Sequence, residues 1–271
     1  MDFFQQLEAD LDDPSQGHWA QIARSTAMHT VALFAESNSV QGKAVSLAGT
    51  GTLVVVDDAH YILTAAHVWK EILAHANKMG ISLRDGIDHA CYFDRTTIIP
   101  SGPPNPDQWN EWGPDLVFLR IPEVRVKDIE AFRVFYRLTT EESWNKGPHV
   151  EVHMLLGTPH FLGKFSQNYA AVQLRGIWVN KPISKKHGDF DYLDVEAKEE
   201  LLQEAKSFGG MSGGGLWRVR IYQDSTSGKI DSEATLKGVA FYELQVDNGS
   251  AVIRCHGAKT IFFATPKATA N

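Results

Sequence analysis

Cysteine is nearly missing from this chain: Cys91 and Cys255 are the only two in 271 residues. A scaffold stapled by several disulfides is therefore excluded, and both thiols read as inert buried groups. No apolar run approaches the ~18 residues that a membrane-spanning helix needs. No long Lys/Arg block occurs and the formal net charge is −7, which argues against nucleic acid or an anionic membrane as partner. The opening residues, Met1-Asp2-Phe3-Phe4-Gln5-Gln6-Leu7-Glu8, lack the basic and apolar regions of a secretory signal. Scarce cysteine and no signal point to a reducing, cytoplasmic setting; a chain whose signal has been removed is the alternative. There is no internal repeat, no low-complexity tract and no H-E-x-x-H, and the 11 histidines are scattered, so no metal site is expected.

What is present is an ordinary globular composition, 43% hydrophobic, with one unusual stretch. Ser207-Phe208-Gly209-Gly210-Met211-Ser212-Gly213-Gly214-Gly215-Leu216-Trp217 packs five glycines around one serine and runs into an apolar, strand-like segment. Glycine so dense marks positive dihedrals or close approaches that a Cβ would forbid. Such a loop turns backbone N–H groups inward around a hydroxyl, as an oxyanion hole requires; read alone, it also fits a flexible turn between strands.

Along the chain, Phe3, Phe4, Leu7 and Leu11 recur at helical spacing, so residues 1–25 read as partly helical, a packing arm or a partner-docking helix. The β part starts at 28–34. Strands are expected at 49–56 and 60–64, joined by a tight turn at Asp57-Asp58-Ala59. A helix is expected from Ala65 to Met79, stopped by Gly80. More strands are expected at 89–94, 115–121, 150–157, 169–179, 215–223, 235–246 and 251–255. Pro100 to Pro114, with Trp109 and Trp112, reads as a surface loop leading into Asp115, Asp189 to Lys206 as an acidic, helix-prone insertion, and 257–264 as a short helix. Many short strands with regular turns indicate an all-β barrel or sandwich.

Three stretches in order carry a family resemblance: Gly49-Thr50-Gly51-Thr52 with Thr64-Ala65-Ala66-His67, then Asp115-Leu116-Val117, then Gly210-Met211-Ser212-Gly213-Gly214. Together they resemble the trypsin-like (chymotrypsin-fold) serine peptidases over roughly residues 28–265, and the order His, Asp, Ser fits that family rather than other triad folds. The resemblance implies an all-β fold of two packed six-stranded antiparallel barrels, with a short N-terminal helical arm and a C-terminal helix. It divides the chain into an arm (1–27), a first barrel (28–125), a connection (126–148) and a second barrel with the terminal helix (149–271).

It also implies the roles. Serine needs an adjacent base: Ser212 is the nucleophile, His67 the base and Asp115 its orienting carboxylate, with the Gly210 and Ser212 amides as oxyanion hole. Ala240, Phe241 and Tyr242 match the strand that pairs with substrate backbone, and His256 the far pocket wall. Lys206 and Ser207 match the pocket base. If Lys206 points inward it favours Asp or Glu before the scissile bond; otherwise the insertion shifts register and it faces solvent. Where zymogens of the family carry an Asp before the serine, this chain has Met211, so no N-terminal processing is expected and the loop is set by packing or by an activating partner. A protein or peptide is the substrate implied, with no cofactor. Two rivals stay open. One is a latent or inactive double barrel used for binding. The other is an α/β-hydrolase elbow at Gly210-Met211-Ser212-Gly213-Gly214 with Asp231 and His256 as partners.

Overall fold

Alternation builds the fold around one strand. In Gly42–Val56 (β2), residues 47–55 are buried on both faces. Side chains alternate along a strand, so Leu53 joins Val31, Leu33 and Ile62 in one apolar cluster while Val54 joins Tyr61, Leu63 and Phe118 in another. The second cluster includes Met154, Leu156, Trp217, Val219 and Ile221 from the other half of the chain. β2 is thus the wall that the two halves share. The coordinates are those of a computed structural model, which describes residues 17–39, 42–84, 89–102, 111–139, 144, 146–162, 164–166, 169–197, 208–245 and 251–267.

The first sheet contains Thr30–Ser39 (β1), β2, Ala59–Thr64 (β3), Lys78–Ser82 (β4), Ala90–Asp94 (β5), Ile99–Ser101 (β6) and Val117–Arg120 (β7), in the order β5-β4-β1-β2-β3-β7-β6. Its neighbours along this path are antiparallel, and Tyr136–Arg137 (β8) adds a short parallel pairing to β2. His149–Gly157 (β9) begins the second half. Lys164–Ser166 (β10) and Tyr169–Ala171 (β11) form a separate hairpin. Arg175–Val179 (β12), Ile183–His187 (β13), Phe190–Ala197 (β14), Gly215–Gln223 (β15), Ile230–Gln245 (β16) and Ala251–Gly257 (β17) complete a seven-stranded antiparallel sheet, β12-β9-β15-β16-β17-β14-β13. Both sheets are curled, one as far as a half-barrel. Among the described residues neither path closes on itself, and the strand counts are eight and seven rather than six and six.

Four α-helices accompany the sheets among the described residues: Gly17–Ala27 (α1), Ala66–His75 (α2), Glu123–Glu130 (α3) and Ala258–Phe263 (α4). In α1, Trp19, Ile22 and Thr26 share one buried face, and Trp19 meets Trp178 edge-on at 5.1 Å. The expected helical repeat at Phe3, Phe4, Leu7 and Leu11 lies outside the described residues.

Several expected boundaries move. The helix after Thr64 ends at His75, not Met79, because Met79 and Ile81 point together into the core from a strand. Gly80 lies under the Tyr92 ring, where a Cβ would come within 2.8 Å, so it serves close packing and does not stop a helix. The acidic segment after Asp189 is not helical over 190–197. It is β14, paired with β17 and, around Gly188 at φ +58°, with β13; the remainder to Lys206 lies outside the described residues. The single strand expected at 169–179 is two, β11 and β12. The connection expected at 126–148 carries β8 and the end of α3, which begins at Glu123. Ile99–Ser101 is strand within what reads as loop, and Trp109 lies outside the described residues. The antiparallel sheets are not the parallel, helix-flanked sheet an α/β-hydrolase elbow needs.

Candidate active site

The glycine-threonine motif at the centre of β2 is explained by what it touches. A Cβ at Gly51 would strike Ile62 at 2.4 Å, and one at Gly49 would meet Val68 at 2.7 Å and the Ser212 carbonyl oxygen at 3.1 Å. Gly49 therefore lets the residue after His67 and the backbone of Ser212 close on the same spot. The alternate positions, Thr50 and Thr52, are fully buried and face the glycine loop. The Thr50 hydroxyl donates to Gly210 O (2.7 Å) and accepts from the Thr158 N–H (2.9 Å), and the Thr50 N–H donates to Ser212 O (2.8 Å). The Thr52 hydroxyl donates to Gly213 O (3.1 Å) and that of Thr64 to Thr50 O (2.7 Å). Thr50 and Thr52 thus tie the first sheet to the serine loop, and Thr64 and Thr158 bond Thr50 in turn.

Within the loop, Gly210 (φ +91°) and Gly213 (φ +89°) hold dihedrals that only glycine adopts without strain. The Met211 N–H donates to Phe208 O, Gly213 to Ala240 O and Gly214 to Met211 O. Glu243 Oε2 accepts from the Phe208 N–H at 2.9 Å. Among the described residues, the N–H groups of Gly210 and Ser212 donate to no partner, and neither does the half-buried Ser212 hydroxyl bond to one. Met211 is 2% exposed in a cluster with Leu155, Val195, Phe208 and Leu216, so packing fixes the position before the serine.

His67 sits in the first turn of α2. The preceding Ala65 offers no side-chain cap, leaving N–H groups of that turn open. Asp115 fills the need from 48 residues away: Oδ1 accepts the His67 N–H at 2.8 Å and Oδ2 meets Nδ1 at 2.5 Å. A carboxylate accepts, so the proton of this contact sits on Nδ1, as in the tautomer a general base requires. The Asp115 side chain is 7% exposed and that of His67 20%.

Asp115 is anchored from the second sheet. Its N–H donates to His256 Nε2 at 3.1 Å. Gly113 precedes it, at φ +59°, and a Cβ there would meet His256 Cε1 at 2.9 Å. Arg254, 4% exposed, pairs with Asp194 through Nε (2.7 Å) and Nη2 (2.9 Å), donates from Nη1 to Glu111 O (3.0 Å) and stands 4.0 Å over the Trp112 ring. The Tyr192 hydroxyl donates to Trp112 O. The segment 111–115 is therefore clamped against β14 and β17.

Of the residues expected at a site, the structure ties His67 to Asp115 directly and carries Gly210 and Ser212 on the adjoining threonine network. Ala240 and Phe241 are buried and Tyr242 is 40% exposed on β16. His256, expected as a pocket wall, is corrected: it is fully buried behind Asp115, stacked on Phe241 at 4.0 Å. Lys206 and Ser207 lie outside the described residues. Asp231 bonds Tyr222 and the Ser232 N–H, while His256 Nε2 faces Asp115, so these two do not pair as the hydrolase alternative requires. Sequence reasoning missed Thr50, Thr52, Thr64 and Thr158, although threonines between glycines on a buried strand signal a backbone-bonding role. It also missed Arg254, Asp194 and the true place of His256. No family model matches the chain, and a search of curated proteins finds no match.

Proposed function

We propose that the chain is a trypsin-like serine endopeptidase, built on two packed barrels and cutting peptide bonds through an acyl-enzyme. One observation carries this reading: Asp115 holds both the backbone and the Nδ1 of His67, beside a serine loop whose Gly210 and Ser212 amides have no described acceptor. In the reaction proposed, the Ser212 oxygen attacks the scissile carbonyl carbon and its proton passes to His67 Nε2. The imidazolium is stabilised by Asp115, and the carbonyl oxygen, now negative, by the two amides; losing one such donor costs ~10²–10³ in rate. The C–N bond breaks as His67 protonates the leaving amine, and water then repeats the sequence on the acyl group. If Lys206, outside the described residues, points into the pocket, the same proposal carries a preference for Asp or Glu before the cut bond, and a peptide library showing cleavage only after Arg or Lys would refute it.

The unbonded Ser212 hydroxyl favours a second reading, a latent enzyme whose serine–histidine contact is closed by a partner protein. Resting sites do show loose catalytic hydrogen bonds. A fluorophosphonate probe tests both. Labelling of Ser212 in the isolated chain, lost in Ser212→Ala, supports the competent enzyme. Labelling only after a partner is added supports latency. No labelling of Ser212 in either condition overturns the peptidase.

A further inference from the structure

We propose that His256 is a positioning residue of this site: its neutral imidazole, protonated on Nδ1, is the acceptor that fixes the Asp115 backbone and thereby the carboxylate under His67. The inference rests on the peptidase reading for its catalytic consequence, but on geometry alone for the contact.

Four observations converge. The Asp115 N–H points at His256 Nε2, 3.1 Å away, so that nitrogen must hold the lone pair. The ring is fully buried, and Nδ1, which then carries the proton, has no partner among the described residues. A buried unpaired donor is costly, so the orientation is held at the expense of a bond the ring would otherwise make. The Phe241 ring lies parallel to the imidazole at 4.0 Å, an interplanar angle of 16°, which locks its tilt. And residue 113 is glycine where a Cβ would press on Cε1, so the segment leading to Asp115 is shaped to admit the ring.

The surroundings keep the imidazole neutral. Asp115 faces it from the lead-in to β7, Asp191 and Tyr192 from β14, Phe241 from β16, and its own strand contributes Cys255 and Arg254, the latter engaged with Asp194. Burial outweighs the two carboxylates and pulls the imidazole down to about 4. A proton on Nε2 would set N–H against N–H and release the Asp115 backbone. The second sheet thus grips the carboxylate of the first through a group that lets go in acid.

The test compares His256→Gln, whose amide oxygen reaches about as far as Nε2 and accepts at any pH, with His256→Phe, which keeps the stacking and loses the acceptor. The readout independent of turnover is the low-field proton resonance of His67 Nδ1–H in its bond to Asp115. It is expected in the wild type and in His256→Gln, and broadened or shifted upfield in His256→Phe at matched thermal stability. In kinetics on a peptide ester, His256→Phe is expected to lose about 10²-fold in kcat with KM little changed, as small misplacements do, and His256→Gln to recover most of it. An unaltered resonance with wild-type kcat in a folded His256→Phe overturns the proposal. Should the wild type show the resonance but never label or turn over, the peptidase reading fails, and the resonance in the two variants still decides the role of His256.

Discussion

The carbonyl oxygen of Thr50 lies 1.8 Å from where a Cβ on residue 213 would stand, and the Thr64 hydroxyl 2.2 Å from it. Both atoms belong to the first sheet, whereas Gly213 adjoins the serine on the second half. The nearer of the two, Thr50 O, is strand backbone, so no side-chain rotation relieves the overlap.

Gly213→Ala is therefore expected to expel the loop. Its backbone, at φ +89°, adds strain to the overlap. Thermal unfolding should show a large drop and probe labelling of Ser212 should fall by ~10² or more. Gly228→Ala is the control, since it also has positive φ but nothing within 4 Å; its cost should stay near the ~1–2 kcal/mol of a left-handed alanine. Equal effects from the two substitutions would contradict the close approach.

Thr50→Val keeps shape and removes one hydroxyl. It strands the Thr158 N–H and the Gly210 carbonyl in a buried place, each at about 1–3 kcal/mol. Denaturant unfolding should register that loss, and Thr50→Ser should restore most of it. If valine and serine variants unfold at one midpoint, the hydroxyl does not bind the loop.

Met211→Asp puts a carboxylate into an apolar cluster. Desolvation raises the pKa of such a group above its unfolded value of ~3.9. The stability it retains is then greatest below that value and is lost as pH rises through the folded pKa. The variant should be less stable than wild type at pH 7 and recover towards it near pH 4, while Met211→Leu should cost under ~1.5 kcal/mol. Unfolding curves at the two pH values measure both, and a variant as stable as wild type at pH 7 would mean the position is not set by packing.

Acid should weaken the wild type for a related reason. Burial holds His29, His153 and His256 below their ordinary values, His256 at about 4. Unfolding lets each return to about 6.5, so the unfolded chain binds more protons in between. Stability is full above about pH 6.5 and falls as pH drops towards 4. The unfolding midpoint should follow that course, and the fall should be shallower in His256→Gln. A midpoint unchanged between pH 7 and 4.5 would count against neutral buried histidines.

Much of this was readable from order and spacing. Residues 60–64 and 117–120 show their strands because Ile62, Leu63, Phe118 and Leu119 alternate between two apolar cores. The motifs around His67, Asp115 and Ser212 stand out because glycine and small residues crowd there. What stayed hidden depends on contacts far apart in sequence. His256 reads as a pocket wall until 141 residues of chain fold back to set it behind Asp115. Residues 190–197 look helical by acidity, yet Asp194 is spent on Arg254 and Tyr192 on the core. Asp115 as the cap of α2 has no local signal either, since Ala65 is a poor cap and the acceptor arrives from elsewhere.

The shared wall at β2 has a consequence of its own. His67 and Asp115 ride on one half of the polypeptide, Ser212 and the Gly210 amide on the other, so on the peptidase reading neither half would own a complete reactive set. Chemistry at this seam would then be a property of the assembled whole: separated, each half would be chemically mute.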